Sequence, residues 1–194
     1  MMKLHGLAAV TALAAATAAP VASQEHPVDW QIAAAVLPLP DSARAAAQVL
    51  GYRDGKLVEL RAGTGPMICL TDNPATKGFE ASCYHRALEP FMARGRSLRA
   101  AGITERKQVD SARRADIRRG RLRMPTRPAA LISVFSDSSR FDPAAGPPSG
   151  AGRLHVVYIP FATEANTGIS ATPSNDRPWL MYPGEPWSHI MIGQ

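Results

Sequence analysis

Cys69 and Cys83 are the only two cysteines in 194 residues, and how they pair constrains the fold more than any other feature. Joined to each other, they close a loop of about 15 residues. That stabilises the chain by roughly 3 kcal/mol, through entropy removed from the unfolded state. The alternative is a pair of metal-binding or redox thiols. No C-x-x-C spacing occurs, and the expected compartment favours the disulfide.

That compartment is read from residues 1–23. Met1-Met2-Lys3-Leu4-His5 is a short basic start, and Leu7 to Ala19 is an Ala/Leu/Val run broken only by Thr. Pro20-Val21-Ala22-Ser23 supplies small residues for cleavage near Ser23. This is the order of a secretory signal peptide. The run is shorter than the ~20 apolar residues that span a bilayer. No cysteine follows it, so a lipid anchor is not expected. Residues 24–194 are then expected to form one exported domain, periplasmic or extracellular, with no membrane span.

The fold class expected is α+β, an antiparallel sheet with a helical hairpin on one face. Ala47 to Arg61 reads as a β-hairpin around Asp54-Gly55, because Asp-Gly accepts the positive φ of a tight turn. Met67 to Leu70 adds a third strand, making a meander. Ala129 to Phe135, Leu154 to Ile159 and Trp187 to Ile192 read as further strands. Ile32 to Leu37 is either a short helix or a buried strand, and Asp41 or Ser42 caps a short helix after it. Tyr84, Leu88, Phe91, Met92, Gly95 and Leu98 share one helical face, with Pro90 placing the regular start near Glu89. A second helix is expected from a Thr104 cap to Arg119, stopped by Gly120. It is polar nearly all round, with Ile103, Val109, Ala112 and Ile117 turned inward. Ser136 to Gly152 is rich in Ser, Pro and Gly, which predicts a flexible loop.

The net charge is +6, carried largely by Arg106, Arg113, Arg114, Arg118, Arg119, Arg121, Arg123 and Arg127. A solvated helix face explains them. No aromatic residues interleave them, and export removes the chain from nucleic acid, so no nucleic-acid partner is expected. An anionic envelope surface is the partner such charge would meet.

No nucleophile elbow, Walker A loop, dinucleotide fingerprint, H-E-x-x-H or C-x-x-C-H motif is present, which excludes the enzyme classes that those motifs announce. Chemistry is left to His85, His155 and His189. Together, with Asp72, Glu80 or Glu164 as a further ligand, they would make an open zinc or copper site. In a strand His189 and Met191 share a face, a soft pair that suits copper. Pro178-Trp179, Tyr182 and Pro186-Trp187 offer rings that either fill the core or line a pocket. The loop Thr71 to Glu80 is pinned by the cysteines at both ends, and binding residues favour loops on rigid scaffolds.

The expectation that follows is an exported domain binding a small ligand or partner through loop 71–80 and the C-terminal His/Trp segment. Its candidate ligand-binding residues are Asp72, His85, His155, Trp187 and His189, and no cofactor is expected. One alternative is a small metal-assisted hydrolase built on His85, His155 and His189. A second is an accessory protein that touches the anionic cell envelope.

Overall fold

The computed structural model describes residues 25–193. The expected signal peptide lies outside the described residues. The framework is a mixed sheet of eight strands with helices packed against it, mostly antiparallel with one parallel pair. Its strands are β1 (Gln48–Arg53), β2 (Lys56–Arg61), β3 (Met67–Leu70), β4 (Phe79–His85), β5 (Ala129–Ser136), β6 (Gly152–Tyr158), β7 (Trp179–Met181) and β8 (His189–Gly193). In space they run β2-β1-β3-β4-β5-β6-β8-β7.

The β1–β2 hairpin forms as its sequence requires. Asp54 and Gly55 both take positive φ, 52° and 73°, as a type I′ turn demands. The expected meander is corrected at β3, which pairs in parallel with β1, Gln48 opposite Ile68, and not with β2. β1 is the more apolar strand, with Val49 fully buried, whereas β2 carries exposed Lys56 and Glu59. A charged strand belongs at the edge. The chain must therefore cross the start of β1 through residues 62–66. A Cβ on Gly63 would lie 2.1 Å from the Gln48 backbone nitrogen, so only glycine permits that crossing.

The helical face read from Tyr84 onward is corrected at its first residue, since Tyr84 belongs to a strand. Residues 79–85 form a strand whose alternation sends Phe79, Ala81 and Cys83 to one face and Tyr84 to the other. After one tight turn at Arg86–Leu88, the regular helix α3 (Glu89–Ala100) begins at the residue that Pro90 indicates. Tyr84, Leu88 and Phe91 all enter one core cluster. A strand residue and a helix that converge on the same core look like one continuous helical stripe in sequence.

Three shorter elements complete the chain. Of the run Ile32 to Leu37, residues 32–35 close α1 (Val28–Ala35) and Val36 and Leu37 form the turn after it, and α2 (Asp41–Arg44) follows behind Pro40. α1 buries Gln31, Ala34 and Ala35 at the i, i+3, i+4 spacing of a core-facing stripe. Ala34, Ala35 and Leu37 meet Phe79, Ala81 and Cys83 from the sheet. The second long helix, α4 (Arg106–Arg118), starts behind Glu105 without a side-chain cap, not behind Thr104. α3 and β6 contribute Phe91, Val156 and Tyr158 to the core on the sheet face opposite α1. α5 (Glu164–Thr167) is a single turn with a capping box between Thr163 and Asn166.

The segment between β5 and β6 is held more firmly than its Ser, Pro and Gly content suggests. The Phe141 ring packs edge-on to Trp30 and Phe79, with centroids 5.4 and 4.7 Å away. Phe141 O also accepts the Trp30 indole N–H at 3.3 Å. Among the described residues no helix is long and apolar enough to cross a membrane.

Candidate functional site

Cys69 and Cys83 face each other directly in the β3–β4 ladder and are joined as a disulfide, with Cα atoms 4.0 Å apart. The bridge pins the loop after β3 as expected. Asp72 in that loop is buried and accepts the Glu80 N–H at 2.9 Å.

The three histidines do not converge. His85 ends β4, where its Nδ1 accepts the Ala87 N–H at 3.1 Å and caps the following turn. His155 lies in β6 opposite Ile132, which lies opposite Cys83, so it shares the α1 side of the sheet with His85. Two strand widths and a two-residue rise put these two histidines roughly 12 Å apart. His189 pairs with Tyr158, three residues from His155, and therefore points to the other face. The zinc or copper site at His85, His155 and His189 is thus corrected. Among the described residues no group of three His, Cys, Asp or Glu side chains is placed to hold a metal ion. His189 and Met191 do share a face, but Met191 packs against the hydrophobic core.

The Asp72 loop and the C-terminal His/Trp segment also part company. Asp72 lines one cavity, with Trp30 and Tyr52. Trp187 and His189 line another, of about 130 Å³, together with Phe91, Arg113, Tyr158 and Tyr182. The register places the first where β1 and β3 end and the second where β6 ends and β8 begins, at opposite ends of the sheet.

The Trp187 cavity is assembled from four elements. Tyr158 closes β6 and His189 opens β8, with ring centroids 4.7 Å apart. α3 supplies Phe91, whose ring stacks on Trp187 at 6.0 Å. α4 supplies Arg113, whose guanidinium carbon sits 3.9 Å above the Phe91 ring. The guanidinium rests against Gly95 of α3, where a Cβ would lie 1.9 Å from Arg113 Nη2 and would displace it. Arg114 grips Glu185 with two bonds, 3.2 and 2.7 Å, and so ties α4 to the turn that presents Trp187. Ser188 fixes that turn further by donating to Ala162 O at 3.0 Å and to Tyr182 O.

The electrostatics of this cavity are unbalanced. Arg113 is 8% exposed. Its Nη2 donates to Phe91 O at 3.0 Å, and its nearest carboxylate, Asp110, is 4.0 Å away. Its Nε has no hydrogen-bond partner, and neither has the buried Trp187 Nε1. Burial first, and the neighbouring Arg99 second, pull the Arg113 pKa down. A buried guanidinium with an unused N–H favours a negative partner, because unpaired buried donors carry a desolvation cost. Burial pushes the Tyr158 phenol up to about 12, so it stays protonated and able to donate. His189 Nδ1 lies 2.8 Å from Trp187 O, which assigns its proton to Nδ1 and the lone pair to Nε2.

Burial holds the His189 pKa below 6.5, with the Trp187 bond opposing in part. The unfolded chain therefore binds the proton more readily, and stability rises with pH across that window. Stability tied to His189 should be complete above about pH 6.5 and decline as pH falls toward the depressed folded value. Urea unfolding from pH 5 to 8 tests this against His189→Gln, which should flatten that limb. Parallel curves for the two proteins would refute it.

Arg113 is the site residue that sequence reasoning missed. The inward stripe through Val109 and Ala112 continues to 113 and 116, and the structure buries Val109, Arg113 and Asp116 together. Asp116 in turn holds Arg94 at 2.7 Å and Arg121 at 2.6 Å. A solvated face therefore does not account for the whole arginine run. Compared with known proteins, the chain matches no family model, no curated protein and no solved structure.

Proposed function

We propose that this is an exported protein that binds a small organic carboxylate in the cavity between Phe91, Arg113, Tyr158 and Trp187. The observation that carries this reading is that Arg113 and Trp187 line one cavity and that each carries a buried N–H, Nε and Nε1, without a hydrogen-bond partner among the described residues. Two such donors, one of them charged, suit the two oxygens of a carboxylate. Aromatic walls suit an apolar body behind it. The volume, about 130 Å³, suits a ligand near the size of benzene, which an engineered cavity of ~150 Å³ accepts. In this reading α3 and α4 form a helical hairpin that roofs one face of the sheet and delivers Arg113. Export is supported by the sequence of residues 1–23 and by the disulfide.

The test is a calorimetric titration of the full chain with propionate, benzoate and inorganic phosphate, with benzamide as the uncharged control. A carboxylate should bind saturably and benzamide should not. Trp187→Phe keeps a ring and removes one donor, and Arg113→Met removes the charge. Arg113→Met should weaken binding about tenfold to a hundredfold, the usual range for a charge-assisted hydrogen bond. Phosphate binding without carboxylate binding, or equal affinity in both variants, would overturn the proposal.

A further inference from the structure

A second cavity, at the opposite end of the sheet, carries the opposite charge. It encloses about 100 Å³ between the start of the described chain, α1 and the disulfide-pinned loop. Glu25, His26, Trp30, Tyr52, Thr71 and Asp72 line it. Asp72 is 8% exposed and Thr71 is 5% exposed. Thr71 Oγ1 is buried without a hydrogen-bond partner. The two residues are consecutive and both line the cavity, with the Thr71 N–H still held by Leu50 O of β1 at 3.1 Å.

The cavity wall is rigid. Gln31 clamps β1 to α1, accepting the Tyr52 N–H at 2.8 Å and donating to Tyr52 O at 3.0 Å. His26 stacks on Trp30 with ring centroids 3.6 Å apart. Glu25 accepts the N–H groups of Asp54 at 3.1 Å and Gly55 at 2.5 Å, which holds its carboxylate beside the hairpin turn. The titratable groups that face the space are Glu25, His26, Tyr52 and Asp72, with no Lys or Arg in the lining.

We infer that this cavity binds a small organic ammonium ion, with Asp72 as its counter-charge and Thr71 Oγ1 as a second acceptor. Three features support that class of ligand. Asp72 is a buried carboxylate with backbone N–H partners and, among the described residues, no cation in a salt bridge, so a bound positive charge offsets its desolvation. An ammonium group donates three hydrogen bonds, which the unpartnered hydroxyl and the carboxylate are placed to accept. Trp30 and Tyr52 supply the aromatic surface that favours organic cations. A metal ion fits less well, because the described residues hold no cluster of three metal-ligating acids, histidines or cysteines. Burial raises the Asp72 pKa, against the Glu80 and Asn73 N–H groups and the His26 charge, which lower it. This inference stands apart from the carboxylate cavity, and either can fail alone.

The experiment is an amide-resolved NMR titration of the oxidised full chain with ethylammonium chloride. Acetamide is the uncharged control, and sodium and calcium chloride are the inorganic ones. Saturable shifts are expected at Thr71, Asp72 and Gly78, with the Arg113 and Trp187 amides unmoved. Asp72→Asn should weaken ethylammonium binding roughly tenfold or more, as loss of a charge-assisted hydrogen bond does. Thr71→Val, which keeps the buried shape, should weaken it less and serves if Asp72→Asn fails to fold. No saturable shift with ethylammonium, equal response to acetamide, a response to calcium alone, or undiminished binding by Thr71→Val would each overturn the inference.

Discussion

Replacing Phe91 with Ala is expected to cost about 3–5 kcal/mol, the range for removing a buried aromatic ring. The ring is 4% exposed and belongs to the core cluster that joins α3 to the sheet. It stacks on Trp187, meets Tyr158 edge-on at 6.2 Å and carries the Arg113 guanidinium 3.9 Å above it. Deleting it leaves a cavity and also removes the surface on which a buried charge rests. For a chain of this length the melting temperature should fall on the order of 10 °C. Thermal and urea unfolding measure both quantities. Phe91→Leu keeps most of the volume and should cost less than half as much. A loss within about 0.5 kcal/mol for Phe91→Ala, typical of surface substitutions, would show that the ring does not hold the core together.

Breaking the Cys69–Cys83 bridge is the second large effect. The bridge closes a separation of 14 residues, for which the entropy of the unfolded chain predicts about 3 kcal/mol. The native strands already hold the two positions opposite each other, so the cost falls mainly on the unfolded state. Cys69→Ala with Cys83→Ala should therefore keep the native spectrum at low temperature and unfold at lower urea. Both cysteines are fully buried, so reductant should act on the native protein slowly and on the unfolded protein fast. Unfolding curves that coincide with and without the bridge would contradict the argument.

Local features of the fold were legible where backbone chemistry is local. Asp54-Gly55 marked its hairpin, Pro90 marked the start of α3, and Gly102 and Gly120 take positive φ just beyond α3 and α4. Strand order was not legible, because the parallel return of β3 to β1 depends on which strand tolerates burial on both sides. Strand β4 was hidden for a related reason. Phe79, Ala81 and Cys83 alternate as a strand should, yet Tyr84 also fits the helical stripe that follows. The candidate site was legible in its aromatic and histidine half, Trp187 and His189, and illegible in its charged half. A buried arginine on an otherwise polar helix shows in sequence only as one more charge. His155 and His189 are separated by three residues of register and hence by face, which becomes visible once the β6–β8 pairing is known.

Among the described residues the sheet order β2-β1-β3-β4-β5-β6-β8-β7 leaves β2 and β7 as its rims, and rim strands invite strand-to-strand addition between copies. Both are blunted. On β2, Lys56 and Glu59 are exposed, and Arg61 folds back to donate to Ala47 O at 3.1 Å. A copy docking there would have to bury charge. The other rim, β7, is three residues long. Pro178 stands before it without an N–H to offer, and the chain turns away at Tyr182, whose φ is +56°. The rims are thus the shortest strand and the most charged one, poor templates for a further strand, and the strands between them are free to be as apolar as the core requires.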